Sequence, residues 1–190
     1  MRKTILVFLI LLFSTLSLPH KTHAFAEESS AKILSPLKTK TLVQRGLDNR
    51  VKILQAYLEG QNSPLADNAE AFVKAADDNK IDWKLVAAIS GVESTFGQEV
   101  PNGCNNAWGY GIYGDNMRCF KNYNEAIATI STSLRNDYMN KWNANDIWSI
   151  GRIYAASPAW ASRVNYFVGK IDDFSITYNS NITDPLSISI

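Results

Sequence analysis

Along most of this chain the apolar residues recur every three or four positions, the period of a helix that buries one side. From about Thr41 to Leu58, residues Val43, Leu47, Val51, Leu54 and Leu58 share a face. The stripe is too short to argue for a coiled coil and predicts a helix packed on the domain. Gly60-Gln61-Asn62 breaks it. Ser63 as N-cap and Pro64 at the first helical position open a second helix to about Asp78, with Leu65, Ala69, Phe72, Val73 and Ala76 inward. A third runs from the capping Asp82 to the stop at Gly97, with Leu85, Val86, Ile89, Val92 and Phe96 forming its apolar face. The period returns from Tyr123 to Met139, from Asp146 to Tyr154, and from Trp160 to about Phe174. Between the third helix and the fourth, Gly103, Gly109, Gly111 and Gly114 alternate with aromatics, which predicts an irregular loop or a small β-hairpin over Gln98 to Arg118. The fold expected is mainly α, with a small irregular or β lobe beside the end of the third helix.

The two ends of the chain break this pattern. Arg2 and Lys3 precede an apolar run from Ile5 to Leu12, and Ala24-Phe25-Ala26 fits a small-x-small cleavage site. Residues 1–26 therefore read as a secretory signal, too short and interrupted for a membrane span. The protein is expected to be exported to the cell envelope or beyond, without stable membrane insertion once the signal is cut. Residues 27–40 are polar and read as a disordered lead-in. The domain is expected over 41–175, with a Ser-, Asn- and Thr-rich tail over 176–190.

Removing the signal changes the available chemistry. His20 and His23, the only histidines, would leave with it. That excludes histidine-based triads and His-ligated zinc, and no metal or organic cofactor is expected. Loss of Arg2, Lys3 and Lys21 would take the formal charge from +1 to −2, which gives no basic excess for nucleic acid. Cys104 and Cys119 are the only cysteines and flank the Gly-rich loop. Export favours a disulfide over two free thiols. Acid–base work is left to carboxylates and tyrosines.

Glu93 is the carboxylate best placed for it. It lies on the apolar face of the third helix, four residues after Ile89, and in the last turn. Apolar surroundings and the negative end of the helix dipole both disfavour its ionised form. A raised pKa suits a general acid working at mildly acidic pH. The opposing reading is a Glu at the edge of the face that simply reaches solvent.

The order of motifs carries a resemblance. Glu93-Ser94-Thr95-Phe96-Gly97 is followed by Asn106-Ala107-Trp108-Gly109, Phe120-Lys121-Asn122-Tyr123 and Tyr154-Ala155-Ala156-Ser157-Pro158-Ala159-Trp160-Ala161. These resemble, in order and over about half the chain after the signal, the bacterial glucosaminidase family, the mannosyl-glycoprotein endo-β-N-acetylglucosaminidase-like domain of the lysozyme-like superfamily. Lytic transglycosylases share the Glu-Ser-x-Phe helix end. Their usual Gly-Leu-Met-Gln segment is replaced here by Trp108-Gly109-Tyr110-Gly111-Ile112-Tyr113. The resemblance implies a lysozyme-like helical domain that cleaves β-1,4 bonds of peptidoglycan glycan strands, working as a monomer. It implies Glu93 as the acid, Tyr154 as a groove hydroxyl and Asp115 as the candidate second carboxylate. Ser94, Asn106, Trp108, Tyr110 and Tyr113 become candidates for substrate binding, Trp108 and Tyr113 by stacking on sugar rings. Two alternatives stay open: a lytic transglycosylase giving anhydro-muramic products, and a wall-binding module that keeps the groove without turnover.

Overall fold

The structure is a computed structural model that describes residues 49–111 and 118–183. The expected signal and lead-in, the first part of the first helix, the segment 112–117 with Tyr113 and Asp115, and the chain beyond 183 lie outside the described residues. Helix α1 occupies 49–60. A 3₁₀ turn at Ala66–Asn68 leads into α2, Ala69–Asn79, and α3 is Leu85–Ser94. Helix α4, Tyr123–Ser133, continues as a π-helical stretch, Leu134–Asn140. Helices α5, Ile147–Tyr154, and α6, Trp160–Thr183, complete the order. The described residues contain no strand, and those of the loop between α3 and α4 are irregular. No described helix is long and apolar enough to cross a membrane.

Helix α3 is the centre of the core. Leu85 to Gly91 are buried on every side, including Ala87, Ala88 and Ser90, which lie off the expected apolar face. A helix apolar all round is a buried one. It packs chiefly on α6 and also touches α2 and α4. Helix α6 runs antiparallel to it: Lys84, just before α3, bonds Asp172 at 2.6 Å, while Trp160, at the start of α6, reaches Glu93 near the end of α3. Helix α1 closes the far side with Leu54 and Leu58 fully buried, and Tyr57 lies edge-on to Phe96 and Phe174.

Several boundaries follow the sequence. The Asp82 carboxylate accepts the Lys84 amide at 2.9 Å, so Asp82 does organise the entry to α3. Asp146 and Ser149 form a reciprocal capping box on α5. The Ser63 hydroxyl accepts the Leu65 amide at 3.1 Å, but this bond closes a turn: α2 begins at Ala69, behind the 3₁₀ turn, and not at Pro64.

Two further boundaries differ. Helix α3 stops at Ser94, three residues before Gly97, because Thr95 and Phe96 both take left-handed backbone at φ 51° and 56°. Their amides turn back to the carbonyl of Ser90. This strain is held by burial of the Phe96 ring, which folds under α3 onto Phe167 and Tyr57. Gly91 permits it: a Cβ there would lie 2.6 Å from Phe96 Cζ. The other difference is α6, which runs on to Thr183 instead of ending near Phe174. Phe174 and Tyr178 continue the apolar spacing, and Thr177 and Ser180 bond back to carbonyls one turn earlier.

Candidate active site

Glu93 sits at the junction of α3, α6 and the Gly-rich loop. Its Oε1 accepts a 2.6 Å hydrogen bond from the indole Nε1–H of Trp160. Its Oε2 faces Gly109, where a Cβ would lie 3.4 Å away. One side of the residue is open to solvent, as the edge-of-face reading has it. The surrounding walls still strip hydration from the carboxylate and raise its pKa above the usual 4.5; the Trp160 bond pulls the other way and is outweighed.

Trp160 is held by Tyr154, whose ring stacks on it at 4.7 Å between centroids. The Tyr154 hydroxyl donates to the carbonyl of Trp108 at 2.8 Å. Burial first, and then the charge of Glu93, push the Tyr154 pKa well above 10, so the phenol stays protonated as a donor. Tyr154 is thus brought to the site, with its hydroxyl committed to the loop backbone.

A groove of about 550 Å³ opens beside this cluster, lined among others by Gly109, Tyr110, Arg118, Asp137, Trp142 and Tyr154. Glu93 does not itself line this groove but adjoins two residues that do: Gly109, through Oε2, and Tyr154, whose phenol feels its charge. The Tyr110 ring lies under the Arg118 guanidinium at 5.4 Å, and its hydroxyl is 3.4 Å from Ser133 Oγ, which donates to Asp137 at 2.7 Å. The π-helical stretch carries Asp137 and Tyr138 to this groove; such stretches often mark functional sites.

Three expected substrate-binding residues have other work in the structure. Trp108 is fully buried, tilted against Phe72, with its indole N–H bonded to the Val86 carbonyl at 2.8 Å, so its faces are not open to a sugar. The preference of a large ring for the core outweighs its place in a Gly-rich loop. The buried Ser94 hydroxyl donates to the Ala107 carbonyl at 2.8 Å and accepts the Gly97 amide at 3.0 Å. The Asn106 side chain accepts the amides of Trp108 and Tyr110 and donates to the carbonyls of Tyr110 and Arg118. Ser94 and Asn106 therefore shape the loop. Cys104 and Cys119 form a disulfide that closes the same loop. Tyr110 is the one described residue of that group that lines the groove, and Tyr113 and Asp115 lie outside the described residues.

Trp160 and Asp137 were not among the residues expected at the site. Trp160 is 67 positions from Glu93, and only the antiparallel packing of α3 and α6 joins them. Its signal in the sequence is the aromatic in the Pro158-Ala159-Trp160-Ala161 segment.

The sequence matches no protein-family model and no curated protein. A solved structure does match: the crystal structure of a catalytic mutant of S. aureus autolysin E, a glutamate replaced by alanine, in complex with the disaccharide NAG-NAM. It is 15% identical to this chain, covers 68% of each chain and superposes with a TM-score of 0.55. At that identity the likeness carries the fold, a mainly α-helical one consistent with a lysozyme-like domain.

Proposed function

We propose that this protein is an exported enzyme that cleaves β-1,4 glycosidic bonds in peptidoglycan glycan strands, with Glu93 as the general acid. The observation that carries this reading is Glu93 itself: a carboxyl of raised pKa, hydrogen-bonded by Trp160 on one oxygen and facing, with the other, a glycine that lines a groove. Cleavage of a glycosidic bond needs a proton for the leaving oxygen, and desolvation favours the protonated carboxyl that can give one. Tyr110, Trp142 and Tyr154 give the groove flat rings with polar tips, which suit a partly wet glycan. The solved relative holds a disaccharide of the same class, which supports the substrate assignment by analogy of fold. Endo-β-N-acetylglucosaminidase action is the preferred reaction. Asp115 is the proposed second carboxylate in it.

The test is digestion of purified peptidoglycan followed by mass spectrometry of the products. A reducing N-acetylglucosamine end is the expected result. An anhydro-muramic end would assign the protein to the transglycosylases, and a strand bound but uncut would make it a binding module.

A further inference from the structure

Among the described residues, the side-chain hydrogen bond to Glu93 falls on one of its oxygens. Trp160 donates to Oε1 at 2.6 Å, and its ring is fixed by the stack on Tyr154. Oε2 points instead at Gly109, which is also part of the groove wall. An N–H donor occupies the lone pair of the oxygen it meets, so a proton on the same carboxyl is better placed on the other oxygen. At Gly109 the backbone has φ +61° and carries no side chain; a methyl there would lie 3.4 Å from Oε2, in contact with it.

Building on Glu93 as the acid, we propose that its transferable proton is held on Oε2, that Trp160 fixes this choice by occupying Oε1, and that Gly109 leaves the opening through which the leaving glycosidic oxygen reaches that proton. Trp160 and Gly109 are positioning residues. In the step, the Oε2–H bond breaks and the proton passes to the glycosidic oxygen as the C1–O bond breaks, its electron pair leaving with that oxygen. The carboxylate so formed keeps the Trp160 N–H on Oε1. Water, or the sugar's own 6-hydroxyl, then bonds to C1, and the proton it loses returns to Oε2. The same placement serves hydrolysis and transglycosylation, so it does not depend on which of them the groove performs.

The titratable group facing Glu93 from α5 is Tyr154, which stays neutral; α6 presents Trp160 and the loop presents Gly109. Trp160→Phe keeps the ring on Tyr154 and removes the N–H. NMR titration of carbon-labelled glutamate should then show the Glu93 pKa higher than in the parent, because a bond that favoured the ionised form is gone. In the parent, the Trp160 indole proton shift should follow that same titration. With peptidoglycan as substrate, kcat should fall about tenfold, with KM changed less than threefold. Gly109→Ala should also lose at least about tenfold in kcat. Gly103→Ala is its control: it has the same sign of φ, in the same loop, with nothing within 4 Å of the added methyl. It should lose similar stability and keep activity. An unchanged Glu93 pKa in Trp160→Phe, or equal losses in the two alanine variants, would overturn the proposal. The titrations need no turnover, so a protein that cuts no glycan refutes the proposed function while the placement of the proton is still decided.

Discussion

One methyl group at Gly91 tests how the end of α3 is held. In an ordinary helix Gly→Ala stabilises by about 1 kcal/mol. Here the new Cβ would lie 2.6 Å from Phe96 Cζ, 2.8 Å from Cε1 and 3.1 Å from Phe167 Cδ2. Carbon atoms rest about 3.5–4.0 Å apart, so the Phe96 ring must move by about 1 Å. It has little room, being 2% exposed and set edge-on between Tyr57 and Phe167. Overpacking costs about 1–3 kcal/mol, and three contacts inside normal carbon separations put this site in the upper part of that range, about 2–3 kcal/mol, which outweighs the gain in propensity. The expected net loss is about 1–2 kcal/mol, or a Tm lower by about 2–8 °C for a domain of this size. Because Phe96 is three residues from Glu93, the glycan-cleaving rate should fall as well. Calorimetry of parent and variant decides the matter. An unchanged or higher Tm would mean that Phe96 is not locked under Gly91, and that the left-handed turn at Thr95 and Phe96 has another cause.

Replacing both Cys104 and Cys119 by Ser should cost on the order of 3 kcal/mol and loosen the groove-side loop before the helices; non-reducing peptide mapping and hydrogen exchange check the bond and the order of loss. The activity profile should reflect a Glu93 pKa raised above 4.5: the acid is protonated below that raised value and loses its proton as pH rises through it. Stability shifts with the same sign, any share owed to the neutral carboxyl being complete below the unfolded pKa and lost as pH rises through the folded one. A kcat/KM that still climbs between about pH 7 and 9 would remove Glu93 from the role of shifted acid.

Much of the helical order is legible in the sequence because it rests on local signals. Asp82 and the Asp146–Ser149 pair mark helix starts through bonds two or three residues long. Where the outcome depends on residues far apart, the pattern misleads. Phe96 sits at helical spacing from Ile89 and Val92, yet it reaches the core by a left-handed turn that exists only because Gly91, Tyr57 and Phe167 make a slot for its ring. The polar composition after Phe174 predicts a tail, but Phe174 against Tyr57 keeps α6 going. At the site, the place of Glu93 in the last turn of α3 is readable from periodicity, its exposure being that of the edge-of-face reading. Its partner Trp160 is not, since that hydrogen bond is made by two helices meeting. Ser94, Asn106 and Trp108 show the converse: polar and aromatic residues beside a candidate acid read as ligands for sugar, while their hydrogen bonds go to the backbone of the loop that carries Gly109.

The most direct measurement on the central claim is Glu93→Gln assayed on purified peptidoglycan. Glutamine keeps the shape and can still accept the Trp160 N–H through its carbonyl oxygen, but it has no acidic proton to give. Cleavage should fall by at least about 10²-fold with the Tm close to that of the parent. Cleavage within a few-fold of the parent, in a variant that folds as well, would contradict the account.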